Sequence, residues 1–269
     1  MSGADRVRSA FDAARTAGRA ALISYFVAGR PSVDAMPALV EEVVAAGADL
    51  IELGVPFSDP LADGPVIRDA TRLALDAGMT VAGCLDLVRM IRARGVTAPI
   101  MLMGYGNPLM AYGITRFCAD AAAAGVDGLI IPDVPLEEAD ELRAGAAAHG
   151  LGMTFLITPL TDDARIEEVA AASTGFLYAV ATTGTTGARG SVDPRTVELL
   201  DRARALAGDA PVAVGFGISM PEHVVSLVPH ADGVIIGSAL VALVEADVSA
   251  VPGRIAELAA AAAVATTAS

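Results

Sequence analysis

The sequence predicts an α/β protein, a single (β/α)8 or TIM barrel over residues 1–269 with an extra helix at its N-terminus. Three observations lead there. Eight short, nearly continuous apolar runs (21–28, 49–54, 99–104, 127–131, 152–157, 175–180, 211–215 and 232–236) alternate with helical patterns, the signature of parallel strands buried on both faces. One phrase recurs as "AAGADLIELGVP", "AAGVDGLIIPDVP" and "PHADGVIIGSA", each a helix end, a turn, an aliphatic run and a loop, so one αβ unit is used repeatedly. Eight such units in about 250 residues is the size of this barrel. The competing architecture, an open doubly wound sheet, lacks its Gly-x-Gly-x-x-Gly fingerprint after the first strand.

The first 29 residues imitate a targeting peptide, with Arg6, Arg8 and Arg15 ahead of "ALISYFVAG". Asp5 and Asp12 interrupt that basic region and no small-x-small cleavage site follows. An amphipathic helix leading into the first strand fits better, in a cytoplasmic protein. The helical stretches "SVDAMPALVEEVVAAG", "MTVAGCLDLVRMIRARG", "GITRFCADAAAAG", "LEEADELRAGAAAHG", "TDDARIEEVAAAS" and "DPRTVELLDRARALAG" mostly open with Ser, Thr or Asp, and several close with Gly. Two connections are long, 55–64 and 181–192. Both follow strands, which puts them at the C-terminal face where such barrels build active sites. The Gly/Thr-rich "ATTGTTGARGSV" reads as a lid, and the tail "AAAAAVATTAS" as the end of a last helix that frays.

Composition narrows the chemistry. A formal charge of -14 argues against a nucleic-acid-binding surface, which would need a basic stripe, and no apolar run is long enough to span a membrane. All 18 basic residues are arginine. Without lysine, a Schiff-base aldolase and covalent attachment of pyridoxal phosphate are impossible. His149, His223 and His230 fall on helices or helix ends, away from the strand tips where a metal aldolase would need them. Cys84 and Cys118 have no metal or CxxC spacing and read as reduced thiols. Cofactor-free acid–base chemistry remains, with no metal.

Glu52 interrupts the apolar run "LIELG" near the carboxyl end of the second strand. Alternation groups it with Leu50 and Gly54, the face better suited to the barrel interior. A buried carboxylate must be protonated or partnered. One reading is a hydrogen bond to a neighbouring strand; the other, favoured by its place at the catalytic end, is a general acid with a raised pKa. Asp63, in a more solvated loop, would then be the ionised member of an acid–base pair, although Asp63 before Gly64-Pro65, and Asp59 in "SDP", also fit simple turns. "VGFGIS" (214–219) and "IIGSAL" (235–240) follow the seventh and eighth strands, where barrels bind phosphate through glycine amides and a helix N-terminus. Gly217, Gly237 and Ser238 supply those groups. Either segment alone could be a tight turn; together they favour a phosphorylated small-molecule substrate.

With these residues assembled, the chain resembles the tryptophan synthase alpha subunit family over essentially its whole length. "ELGVPFSDPLADGP" carries the resemblance most specifically, joined in order by "LMGYGNP", "PDVPLEE", "TTGTTGAR", "GFGIS" and "GSA". The resemblance implies cleavage of indole-3-glycerol phosphate to indole and glyceraldehyde 3-phosphate, with Glu52 and Asp63 catalytic. It implies substrate contacts from Tyr25, Tyr105, Tyr178, Thr186, Gly187, Gly217, Gly237 and Ser238, with Thr186 as the lid threonine. Tyr25 stands where the family often has phenylalanine. The resemblance further implies an αββα complex with a beta subunit that carries pyridoxal phosphate, this chain holding no cofactor and meeting its partner through Asp59, Asn107 and Pro108. Two other readings compete: a different phosphate-binding barrel enzyme such as a sugar-phosphate isomerase, and a non-catalytic activator of a beta subunit. The "FSDPLADGP" loop counts against the first, Glu52 with Asp63 against the second.

Overall fold

The computed structural model describes residues 1–181 and 192–264, and at its centre eight parallel strands close into a barrel in chain order. They are β1 (Ala21–Val27), β2 (Leu50–Gly54), β3 (Ile100–Met103), β4 (Gly128–Ile130), β5 (Gly152–Ile157), β6 (Leu177–Val180), β7 (Val212–Gly215) and β8 (Gly233–Ile236). All eight expected strands are present, several starting a residue or two later than the apolar run. Closure runs through β1 and β8, with Ala21 opposite Gly233 and Ser24 opposite Ile236. Nearly every strand position is buried, because side chains of one parity fill the barrel and the others meet the surrounding helices.

The extra N-terminal helix, Gly3–Thr16, forms for legible reasons. Ser2 and Asp5 make a reciprocal capping box, and Val7, Phe11 and Ala14 supply one buried face. That face covers the N-terminal end of the barrel, where the Phe11 and Phe176 rings lie 5.5 Å apart. Asp127, fully buried just before β4, accepts from Arg6 Nε at 2.5 Å, Arg92 Nη2 at 2.5 Å and the Ile100 amide at 2.7 Å. This charge is paired and satisfied, as a buried carboxylate must be, and it locks the end opposite the long loops.

Two helices depart from the sequence reading. Pro65–Asp76 follows the loop after β2 and precedes Val81–Ala93. Pro65 sits favourably in its first turn, and the helix is clearly amphipathic, with the small Ala70, Thr71 and Ala74 on its buried face. Gly106–Tyr112 occupies much of what reads as loop after β3. Its start is held from another segment: the Gly106 amide donates to both Asp133 carboxylate oxygens, at 2.9 and 3.2 Å. A cap supplied across 27 residues leaves no local signature. Cys84 and Cys118 are buried and free. Among the described residues no helix is long and apolar enough to cross a membrane, and no cluster of His, Cys, Asp and Glu could hold a metal ion.

Candidate active site

β2 carries Glu52 into the barrel interior, level with Tyr25 of β1 and Met101 of β3. The residue is 0% exposed, and among the described residues neither carboxylate oxygen has a hydrogen-bond partner. Of the two readings left open by the sequence, the bond to a neighbouring strand is therefore absent. Burial, with the Asp63 charge adding to it, pushes the Glu52 carboxyl up to about 8, so it holds its proton at neutral pH. Such a group costs stability wherever the unfolded chain would ionise and the fold would not.

That cost has a definite pH window. The folded-state value of about 8 lies above the ordinary 4.5, so this group penalises the fold least below pH 4.5. Stability falls as pH rises towards 8 and levels off above it. At pH 7 the penalty is about 3 kcal/mol. Denaturant unfolding of wild type and Glu52→Gln from pH 5 to 8 is expected to show a gap in favour of the variant that widens with pH. A constant gap would mean that Glu52 is already ionised in the folded protein.

Glu52 opens onto a cavity of about 420 Å³ at the C-terminal end of the barrel, lined also by Tyr25, Asp63, Tyr178, Gly217, Gly237 and Ser238. Seven of the residues expected from sequence thus converge. Asp63, half-buried in the loop after β2, has its carboxyl raised by burial, against which a Tyr105 hydrogen bond and the Arg68 charge act to lower it. Burial first, and then the neighbouring carboxylates, raise the Tyr25 phenol well above its ordinary range; burial and Glu52 do the same to Tyr178. Both phenols stay protonated, so they offer hydroxyl donors to the cavity.

The strand-end glycines make room for these phenols. A Cβ on Gly54 would lie 2.1 Å from the Tyr25 hydroxyl, and one on Gly215 2.2 Å from the Tyr178 hydroxyl. Gly237 differs: a Cβ there would meet nothing nearer than Tyr25 at 3.7 Å, ordinary contact. None of the described residues requires glycine at 237, which leaves space among them beside the amides of the helix Ser238–Asp247. The first amides of any helix lack intrahelical partners and favour an anion. Across the cavity Gly217 has φ +75°, and Phe216 has φ 72°, a left-handed conformation that costs a non-glycine residue on the order of 1 kcal/mol. Its ring packs edge-on against Tyr178, 5.9 Å between centroids, which holds the turn in place.

Not every expected residue reaches the cavity. Tyr105 is 5% exposed and sits behind Asp63, outside the lining. Asp59 and Asn107 are exposed and Pro108 is half-buried, all on loops or helix starts beyond the strand tips. Thr186 and Gly187, with most of the expected lid, lie outside the described residues. The lining residues Ile67, Met103, Ala181, Phe216 and Ile235 were not singled out from sequence. Strand parity was the available signal for Ile235, and Phe216 stood beside the marked Gly217 in "VGFGIS".

The family model described as tryptophan synthase alpha chain matches residues 11–267. The tryptophan synthase alpha chain of Chloroflexus aggregans is 50% identical over 237 residues, 88% of each chain, and that of Solibacter usitatus 49% over 240 residues, 89% of each. Among solved structures, Mycobacterium tuberculosis tryptophan synthase superposes with TM-score 0.88 at 39% identity, covering 96% of this chain and 98% of the other. A structure of the tryptophan synthase a2b2 complex of Pyrococcus furiosus gives 0.84 at 37% identity, covering 89% and 98%.

Proposed function

The chain belongs to the tryptophan synthase alpha chain family, the lyases of tryptophan biosynthesis that cleave indole-3-glycerol phosphate, and from that premise we propose which of its residues carry the reaction. The observation that carries the reading is Glu52: buried, holding its proton and bonded to none of the described residues, beside a second carboxylate in one cavity. Glu52 donates its proton to indole C3, and the positive charge that then spreads to the ring nitrogen is stabilised by Asp63 at the N–H. The Glu52 carboxylate left behind takes the glycerol hydroxyl proton as the carbon–carbon bond breaks. The bond's electron pair returns to the ring, releasing indole and the aldehyde, and Glu52 regains its starting state.

The phosphate lies at the amides of Gly217 and Gly237 and the Ser238 hydroxyl, and the phenols of Tyr25 and Tyr178 flank the reacting end. No cofactor enters this sequence of proton transfers, and a chain without lysine cannot hold pyridoxal phosphate as a Schiff base; that cofactor belongs to a beta subunit. The whole chain, 1–269, serves as one barrel domain in a cytoplasmic αββα assembly, with Asp59, Asn107 and Pro108 turned to the partner. The test is to mix the chain with a candidate beta subunit and measure complex formation and indole release from indole-3-glycerol phosphate. Complex formation should accompany faster indole release. No indole from this chain, alone or mixed, would overturn the reading.

A further inference from the structure

Three interactions converge on Tyr105. Its hydroxyl accepts from the Ala62 amide at 3.0 Å, one residue before Asp63, and acts to lower the Asp63 carboxyl against the effect of burial. Its ring lies 5.6 Å from that of Phe57, so one side chain grips both the start and the end of the loop after β2. The grip has a fixed base. Gly106, the next residue, is tied to Asp133 through its amide, and a Cβ on it would come within 2.9 Å of Val134, so the segment seats closely on the loop after β4.

We propose that Tyr105 is a positioning residue that aims the Asp63 carboxylate into the cavity, rather than a group that touches the substrate. A phenol held by the Ala62 amide and by its ring packing has a fixed place beside Asp63, and it holds the backbone one residue before the carboxylate while its own proton stays free to donate to it. The proposal rests on the catalytic assignment of Asp63 and deepens it. The charged and titratable groups that act on or with Asp63 are Tyr105 from the segment after β3, Arg68 from the helix Pro65–Asp76, Glu52 from β2 and Tyr25 from β1; the Asp133 charge acts on Tyr105.

Tyr105→Phe removes the hydroxyl and keeps the ring against Phe57. With indole-3-glycerol phosphate and the full chain, kcat should fall about tenfold, the size of a lost hydrogen bond to a charged group, while KM changes less than about threefold. Because the Tyr105 hydroxyl lowers the Asp63 carboxyl, its loss should move the acid limb of the kcat–pH profile upward; a merely structural role would leave that limb in place. In an Asp63→Asn background the same substitution should have no further effect. The proposal is overturned by wild-type kcat and pH profile in Tyr105→Phe, by a rise confined to KM, or by an undiminished effect in the Asp63→Asn background. Should Asp63→Asn alone retain full turnover, the assignment of Asp63 fails first and the role of Tyr105 with it, which separates the two failures.

Discussion

Glu52→Gln is expected to lower turnover of indole-3-glycerol phosphate by about 10²-fold or more, the range for a lost general acid–base group, without weakening phosphate binding. The side chain keeps its size and loses only its exchangeable proton. No hydrogen bond among the described residues is broken, because neither Glu52 oxygen has a partner there. The effect therefore belongs to chemistry rather than folding, and the variant should be the more stable protein at neutral pH, as expected where a strained site serves activity. Steady-state kinetics and calorimetric binding of a glycerol phosphate check it together. Near-normal turnover would remove Glu52 from the mechanism; lost phosphate binding would show that the substitution had disturbed more than proton transfer.

Glu52 was legible in the sequence because a carboxylate within an apolar strand contradicts its surroundings, and strand parity alone turns it inward. Gly217, Gly237 and Ser238 were legible for a related reason: glycines after the last two strands have no packing role that sequence can supply. What escaped depends on distant neighbours. Tyr105 reads as one more aromatic at a strand tip, and only the folded loop puts it behind Asp63 instead of in the cavity. The helix Gly106–Tyr112 takes its cap from Asp133, whereas Pro65–Asp76 carries a clear apolar face in its own sequence and needs no distant partner to be legible. Phe216 has a left-handed backbone that no propensity would assign to phenylalanine; packing against Tyr178 imposes it.

The phosphate end yields the other large expected effect. Ser238→Asp should weaken binding of inorganic phosphate or glycerol phosphate by about 10³-fold, because a carboxylate some 4 Å from a phosphate charge is repelled by about 4 kcal/mol at an effective dielectric of 20. The fold should not suffer. Residue 238 is the first of the helix Ser238–Asp247, and an acidic side chain in a first turn stabilises a helix through its dipole. Stability and ligand affinity should thus move in opposite directions, a pattern that general misfolding cannot produce. Ser238→Ala provides the scale, since removing one hydroxyl from a charged ligand should cost about tenfold and leave the amides of Gly217 and Gly237 in place. Calorimetric titration of the three proteins, with a thermal melt of each, gives the answer. If aspartate at 238 binds phosphate as the wild type does, the anion sits elsewhere, and the open space beside Gly237 must serve another part of the substrate.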